Sequence, residues 1–268
     1  MSSNRDTGPA GQLLVDEPAA HVVRLTISNP VKRGALDQAI LDALATTLPS
    51  LEARCVIITG QGRVFSAGYD IGHLPESVFA DEAERLVANP FAAAIDAVEA
   101  YPYPTIAALN GHAIGGGLEL ALSCDLRLAA HQIRLGMPPA KLGLVYSHTG
   151  IRKFIDTIGA PRTRELFLVG GRINAATAHR WGLVNSVHGS DELADAAVQL
   201  ASEVAANAPL AQRGNKRVIR AVLDGRAALD PEVERELLAL RHACFSSEDF
   251  REGVRAFAEK RPPEWKGR

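Results

Sequence analysis

Short runs of strand-forming residues alternate with helical patterns over the first two-thirds of the chain, and this alternation most narrows the possible folds. Branched and aliphatic residues dominate four strand candidates, which are His21 to Ser28, Arg54 to Gly60, Thr105 to Gly111 and Asp125 to Ala130. The intervening stretches "LDQAILDALATTL" and "DEAERLVANPFAAAIDAVEA" carry apolar residues at helical spacing. Strands that alternate with helices usually pair in parallel, so the pattern predicts an α/β fold.

From about Asp191 the pattern is helical only, through "DELADAAVQLASEVAANAP", "LAQRGNKRVIRAVLD", "PEVERELLALRHACF" and "EDFREGVRAFAEK". Each of these helices has little apolar bulk, so we expect the region to pack on the main domain or on another subunit. The polar first residues read as a frayed tail. The sequence therefore predicts a disordered tail over 1–12, a core over 13–200 and a C-terminal helical region over 201–268.

Composition and charge exclude several classes of protein. A net charge of -2 without a long Lys/Arg run argues against nucleic-acid binding, which needs many phosphate contacts. Three cysteines, Cys55, Cys124 and Cys244, form no CxxC pattern and indicate neither a disulfide framework nor a zinc site, so we expect a cytoplasmic protein. No run approaches the roughly 18 apolar residues of a membrane span, and the start lacks the apolar segment of a signal peptide.

The stretch "RVFSAGYDIGHL", Arg63 to Leu74, directly follows a strand candidate. A small-small-Gly turn after a strand leaves backbone N–H groups exposed, and Asp70 is suited to capping a helix that follows. The same residues also suit a purely structural tight turn with a helix cap. The stretch therefore indicates a turn whose chemistry, taken alone, is open.

Three consecutive glycines, Gly115 to Gly117, separate a strand candidate from the helical pattern "LELALS". Glycine before a helix permits close approach by a ligand, and the helix start offers unpaired N–H donors with partial positive charge. Such a site stabilises an anion or a developing oxyanion. The GxGxxG spacing of a dinucleotide site is not met, so we expect no such cofactor.

These stretches together resemble the crotonase superfamily, the enoyl-CoA hydratase/isomerase family, in five motifs and in the family's order. The motifs are "NPVKRGALD", "FSAGYDI", "NGHAIGGGLELALSCD", "AATAHRWGLVN" and "EGVRAFAEKRPPEW". The resemblance implies an α/β spiral of ββα turns with a C-terminal helical region for trimer formation. It also implies a CoA thioester as the substrate and a homo-oligomer, either a trimer or a dimer of trimers.

The resemblance also implies roles for single residues. The backbone N–H groups of Tyr69 and Gly116 correspond to the oxyanion hole, which stabilises an enolate. Lys32, Arg33 and Ala67 correspond to segments that lie against the adenine and phosphate end of CoA.

Lys260 in "AEKRPP" corresponds to a position that reaches the CoA phosphates, sometimes across a subunit boundary. For Lys32, Arg33 and Lys260 alike, an ordinary solvated surface cation remains the alternative, because exposed lysine and arginine are common.

A typical hydratase of this family uses two catalytic glutamates, and this chain has a counterpart of only the first. Glu119, three residues after Gly116, matches the first catalytic glutamate, but Pro139 occupies the position of the second, and Ala140 and Lys141 follow it. General acid-base addition of water would then need a substitute proton donor. His148, His112 and Tyr146 are the candidates.

Decarboxylation fits the missing acid better, because loss of CO₂ itself generates the enolate and needs no base. The loop "PPAKLGLVYSHTGI" resembles that of methylmalonyl-CoA decarboxylases, whose tyrosine corresponds to Tyr146, thirty residues after Gly116. A protonated phenol can hydrogen-bond a departing carboxylate. Tyr146 is alternatively a wall of the acyl pocket. The chain departs from those decarboxylases at Tyr69, where they carry histidine.

Three hypotheses follow. The first is an enolate-forming enzyme that decarboxylates a malonyl-type acyl-CoA, the second a hydratase or isomerase that uses Glu119 with a substitute donor. The third is a non-catalytic acyl-CoA-binding or scaffold protein, disfavoured because a scaffold has no chemical need for both glycine stretches and Glu119 together. No His/Cys/carboxylate cluster has metal-ligand spacing. No cofactor is therefore expected beyond the CoA of the substrate.

Overall fold

The computed structural model describes residues 10–70, 88–224, 231–261 and 263–264 of the chain. Residues 1–9 of the predicted tail, 71–74 of the stretch after the second strand candidate, and 81–87 of the second helical pattern lie outside the described residues. The same is true of 225–230, 262 and 265–268 in the predicted C-terminal region.

Ten strands form two sheets in this part of the chain. They are β1 (Gln12–Ala19), β2 (Val22–Ser28), β3 (Cys55–Gly60), β4 (Val64–Ser66), β5 (Thr105–Leu109), β6 (His112–Ile114), β7 (Leu126–Ala130), β8 (Arg134–Gly136), β9 (Arg172–Asn174) and β10 (Ser186–His188). The larger sheet has the order β1-β2-β3-β5-β7-β10, antiparallel between β1 and β2 and parallel elsewhere. Strands β2, β3, β5 and β7 confirm the four strand predictions, and their parallel pairing confirms the α/β class.

The smaller sheet, in the order β4-β6-β8-β9, consists of three-residue strands that periodicity is too short to predict. Each of the long strands β3, β5 and β7 is followed, after a sharp turn, by one of these short strands. This repeated pair of strands is the ββ corner of the spiral. Asn110 ties two corners together, because its side chain donates to the carbonyls of Gly60 and Gly62, both at 2.8 Å. These corners bring the ends of β4 and β6 side by side.

Nine α-helices complete the described architecture. They are α1 (Gln38–Thr47), α2 (Asn89–Ala100), α3 (Gly116–Leu122), α4 (His148–Arg164), α5 (Ala175–Trp181), α6 (Leu193–Ala206), α7 (Pro209–Asp224), α8 (Pro231–Phe245) and α9 (Glu248–Glu259). A 3-10 turn spans Pro139–Leu142, and a π-helical turn spans Glu165–Val169. Helix α4 begins inside the stretch "PPAKLGLVYSHTGI", whose sequence predicts a loop.

The main core lies between the larger sheet and its helices. Its fully buried members include Leu25, Ile27, Ile40, Leu44, Ile57, Ile58, Phe65 and Phe154. Strand β1 is mostly exposed at the edge of the sheet. Its residues therefore lack the hydrophobic alternation that marks a half-buried strand, and the sequence analysis did not predict it.

The C-terminal helices contact the core through few, specific points. Helix α9 packs on the 3-10 turn at Gly253, where an added Cβ would lie 2.3 Å from the Leu142 carbonyl oxygen. Helix α7 is held by Lys216, whose Nζ lies 2.7 Å from Asp125 Oδ2. Val218 and Ile219 of the same helix are each 60% exposed. Helix α7 thus docks by polar contacts and leaves apolar side chains outside.

Candidate active site

Two glycine-bearing turns meet beside the start of α3. One comprises residues 67–69 after β4, and the other residues 115–117 after β6. An added Cβ at Gly68 would lie 2.8 Å from the last carbonyl oxygen of β6 and 3.3 Å from the Gly116 amide nitrogen. The φ of Gly68 is 95°, a conformation that favours glycine. A residue without a side chain therefore permits this approach, which makes the Gly68–Tyr69 peptide a neighbour of the Gly116 amide.

Backbone pairing fixes the direction of the Tyr69 amide. The Leu36 N–H donates to the Gly68 carbonyl at 2.8 Å, and the Asp70 N–H donates to the Leu36 carbonyl at 3.2 Å. In a parallel pairing of this kind, the residue between the two bonded peptides turns its own N–H and C=O to the other side. The Tyr69 N–H therefore points away from Leu36.

Helix α3 begins at Gly116, directly after Gly115, whose φ is 55°. The first N–H of a helix has no carbonyl partner within that helix and carries partial positive charge. An added Cβ at Gly117 would lie 2.7 Å from the Ser66 carbonyl oxygen, so the helix start packs directly on β4. The arrangement suits an oxygen that gains negative charge beside these two turns.

Glu119 is the buried acid of the site, with 3% of its surface exposed. The Tyr146 hydroxyl donates a hydrogen bond to Glu119 Oε2. Burial raises the pKa of Tyr146 well above its usual range, and the neighbouring charge of Glu119 and the phenol of Tyr69 raise it further. Tyr146 also packs edge-on against Phe167, with ring centroids 5.6 Å apart. Tyr146 is therefore a neutral hydrogen-bond donor at neutral pH.

The position expected for a second acid holds a buried proline. Pro139 starts the 3-10 turn, while Ala140 and Lys141 are exposed. Tyr146 and Lys153 contact Glu119 instead. The structure thus brings the predicted residues Tyr69, Glu119 and Tyr146 together, and it places no carboxylate at 139.

Lys153 and Glu99 are polar residues of this region that the sequence analysis missed. Lys153 Nζ lies 3.7 Å from Glu119 Oε1 and 2.7 Å from Glu99 Oε1. A serine N-cap was the signal available in the sequence, since Ser147 Oγ accepts the Gly150 N–H at 3.1 Å and starts α4. That helix would have placed Lys153 one turn after Gly150, on the same face.

The residues predicted to hold CoA fall into two groups. Ala67 N–H donates to the Arg33 carbonyl at 3.1 Å, and Lys32 Nζ lies 2.6 Å from Asp70 Oδ2, so these segments adjoin the first glycine turn. Lys260 is the left-handed cap of α9, with φ of 56°. Among the described residues, no hydrogen bond or ion pair joins Lys260 to the other three.

The candidate proton donors differ in position. His148 is the first residue of α4, two residues after Tyr146. His112 begins β6, and its Nδ1 accepts the Arg134 N–H at 3.0 Å. Tyr146 donates its hydroxyl hydrogen bond directly to Glu119.

Two neighbouring residues have structural roles. Asp125 Oδ2 accepts the Thr105 N–H at 2.7 Å and anchors the start of β5. Cys124 is buried, and burial raises the pKa of its thiol to about 12.

Within the described ranges, no three His, Cys, Asp or Glu side chains form a group suited to a metal ion. None of the helices there combines the length and the hydrophobicity that a bilayer crossing requires.

Comparison with known proteins gives consistent matches over nearly the whole chain. The family model described as "Enoyl-CoA hydratase/isomerase" matches residues 17–268. The chain is similar to 2,3-dehydroadipyl-CoA hydratase of Escherichia coli (strain K12), with 34% identity over 92% of this chain and 96% of the relative. It is also similar to carnitinyl-CoA dehydratase of Proteus mirabilis (strain HI4320), with 34% identity over 97% of this chain and 96% of the relative.

Among solved structures, the fold is similar to that of methylmalonyl-CoA decarboxylase in complex with 2-nitronate-propionyl-CoA. The TM-score is 0.88 with 29% sequence identity, over 97% of this chain and 100% of that chain. The sequence relatives are thus named for water chemistry, and this structural relative is named for decarboxylation.

Proposed function

The chain belongs to the enoyl-CoA hydratase/isomerase family, and we propose that it decarboxylates a malonyl-type acyl-CoA through an enolate held in an oxyanion hole. The observation that carries this proposal is the hydrogen bond from Tyr146 to Glu119, in a site with Pro139 at the position of the second hydratase acid. At the described family positions, such a site pairs the Glu119 carboxylate with a neutral phenol. It lacks the pair of acids at the two family positions.

In the proposed reaction, the bond between the α-carbon and the carboxylate breaks. Its electron pair moves into the enolate, CO₂ leaves, and the α-carbon then takes up one proton supplied by solvent. The amides of Tyr69 and Gly116 stabilise the enolate oxygen. Since the charge on that oxygen grows towards the transition state, these donors accelerate the bond-breaking step and not merely binding.

Tyr146 and Glu119 have complementary tasks in this reaction. The phenol remains protonated and can turn its O–H towards the substrate carboxylate, which orients the breaking bond. The charge of buried Glu119 disfavours a second carboxylate nearby and favours its departure as neutral CO₂. Together, Tyr146 and Glu119 favour loss of the substrate carboxylate that binds between them.

CoA is proposed to enter as part of the substrate, with its adenine and phosphate end against the segments of Lys32, Arg33 and Ala67. Lys260 is proposed to reach the phosphates, within the same subunit or from a neighbouring one in a homo-oligomer. Because Lys32 is already paired with Asp70, its ammonium group would have to be shared with any phosphate.

Hydration is the second candidate, favoured by the hydratase and dehydratase names of the relatives at 34% identity. In that reaction Glu119 would act as the base towards water, and Tyr146 would be the proton donor closest to it. A phenol whose pKa is raised by burial is a weak acid, so this route predicts slow turnover.

An assay with methylmalonyl-CoA, ethylmalonyl-CoA and crotonyl-CoA distinguishes the two candidates. CO₂ release and loss of the enoyl chromophore are followed separately on purified protein. The proposal expects CO₂ from at least one malonyl-type thioester. Hydration of crotonyl-CoA without any CO₂ release would exclude decarboxylation in favour of the second candidate.

A further inference from the structure

Lys153 links the buried acid of the site to the protein surface. Its Nζ lies 2.7 Å from Glu99 Oε1 on α2 and 3.7 Å from Glu119 Oε1 on α3. The side chains of Lys153 and Glu99 are 22% and 24% exposed, whereas Glu119 is buried. The family roles predicted from the sequence leave both Lys153 and Glu99 without a function.

The local sequence of α4 places this lysine. An added Cβ at Gly150 would lie 2.9 Å from Glu119 Oε1, so the first turn of α4 rests directly on the acid. Lys153 follows three residues later, on the same face of the helix. Its long side chain therefore passes along Glu119 before its charged end reaches Glu99.

The charges around Glu119 make the position of Lys153 significant. A buried carboxylate is stabilised by a cation within about 4–6 Å, which favours its ionised form. Tyr146 donates a hydrogen bond to Glu119 but carries no positive charge. Lys153 supplies a positive charge at this distance, because its Nζ lies 3.7 Å from Glu119 Oε1.

Glu99 determines how closely Lys153 approaches. It binds the lysine at 2.7 Å, a full ångström closer than Glu119 does. Arg220 of α7 lies 4.0 Å from Glu99 Oε2 and shares part of its charge. Glu99 thus competes with Glu119 for the same ammonium group.

We propose that Lys153 is a positioning residue for Glu119. Its charge keeps the buried carboxylate ionised, so that Oε2 accepts the hydrogen bond from Tyr146 and orients the phenol until the substrate carboxylate binds and accepts that hydrogen bond in its place. Glu99 holds the lysine at its working distance. If Glu119 took up a proton, the acid would itself become a donor and would release the phenol from its orientation. The inference rests on the proposed function only in requiring an ionised Glu119 for turnover.

The test is the pH dependence of kcat/KM in variants that change one charge each. We call the fall of kcat/KM at low pH the acidic limb. In Lys153→Met the loss of the cation makes Glu119 easier to protonate, so the midpoint of this limb moves up by about one pH unit. In Glu99→Gln the lysine is released towards Glu119, so the limb moves down by about half a unit. Lys153→Arg keeps the charge and leaves the limb near its wild-type position.

Two controls identify the limb and its origin. Glu119→Gln should abolish the acidic limb, because the titrating group is gone. Arg164→Met removes an exposed cation from the same helix and should leave the limb unchanged. If Lys153 had a purely structural role, its replacement would lower kcat/KM at every pH without moving the acidic limb.

Equal limbs in wild type, Lys153→Met and Glu99→Gln would overturn the inference. If Lys153→Met does not fold, Glu99→Gln, which retains the cation, decides the question by the direction of its shift. The profiles are measured on whichever thioester the enzyme converts. If the limb shifts with crotonyl-CoA as substrate and no CO₂ is released, the result supports the role of Lys153 and rejects decarboxylation. If CO₂ is released but its pH profile is the same in wild type and variants, the result supports decarboxylation and rejects the role of Lys153.

Discussion

The Tyr146 hydroxyl donates to the Glu119 carboxylate, and this hydrogen bond joins the segment before α4 to the helix that starts at Gly116. A carboxylate paired with a neutral phenol differs chemically from two carboxylates that share a water molecule. The phenol can hold an oxygen anion, while its raised pKa makes it a poor proton source. The pair therefore fits a reaction in which orientation matters more than proton transfer.

Tyr146→Phe removes the hydroxyl and keeps the ring against Phe167. Loss of one hydrogen bond to a charged group should lower kcat for CO₂ release by about 10- to 100-fold. Tyr103→Phe is the matched control, since Arg213 stacks over that ring and no hydrogen bond from its hydroxyl to Glu119 is observed in the described part of the chain. Undiminished decarboxylation in Tyr146→Phe would leave Tyr146 as a pocket wall.

The pH dependence of the wild-type enzyme tests the state of the phenol. Because burial and the Glu119 charge raise the pKa of Tyr146, it stays protonated as pH rises through the usual tyrosine value of about 10. The rate should therefore show no alkaline loss from Tyr146 between pH 8 and about 10. A limb in that range which disappears in Tyr146→Phe would contradict this assignment.

Gly68→Ala should disturb the two amides without removing either. The new Cβ would press on the Gly116 amide nitrogen and the end of β6, so we expect kcat to fall by about 10²–10³-fold. Gly62→Ala is the control, because Gly62 also has positive φ, 72°, but has open space where the Cβ would lie. Equal rate losses in both variants would assign the effect to backbone strain alone.

Gly150→Ala tests the contact between α4 and the Tyr146–Glu119 pair. The Cβ would lie 2.6 Å from Tyr146 Cε1, so the phenol must move and the protein should lose about 1–3 kcal/mol of unfolding free energy along with activity. Gly214→Ala, in α7 with nothing near the added Cβ, should instead be stabilising by up to about 1 kcal/mol. Chemical denaturation of both variants measures the contrast, and a stabilised Gly150→Ala would refute it.

The resemblance to a trimer-forming family can be tested by native mass spectrometry. We expect masses at multiples of three chains of 28.6 kDa. Replacing Val218 and Ile219 by aspartate should dissociate the assembly if their exposed side chains lie at an interface. A wild-type monomer at micromolar concentration would contradict the expected homo-oligomer.

Much of the site could be predicted because the backbone conformations that require glycine are marked by the glycines themselves in the sequence. The Gly68 turn and the Gly115–Gly117 stretch are legible in the sequence, since close backbone approach and positive φ exclude most other residues. That the two stretches act together followed from the family resemblance, which assigns one amide of the oxyanion hole to each. The resemblance also assigned Glu119, three residues after Gly116, to the first catalytic glutamate.

The charged partners of Glu119 could not be predicted in the same way. Lys153 and Glu99 belong to different helices, and periodicity indicates which face of a helix is apolar but not which charged side chains meet. Helix α4 itself was hidden, because Gly150, Gly159 and Pro161 suggest a loop. Short strands such as β4 and β6 form only because the longer strands beside them fix their position.

The most direct test of the central claim compares kcat/KM for methylmalonyl-CoA or ethylmalonyl-CoA with kcat/KM for crotonyl-CoA, using carboxyl-labelled thioester and counting labelled CO₂. We expect a larger value for a malonyl-type substrate, stoichiometric CO₂, and a parallel loss of both in Gly68→Ala. A larger value for crotonyl-CoA, with no labelled CO₂ from either malonyl-type thioester, would contradict this expectation.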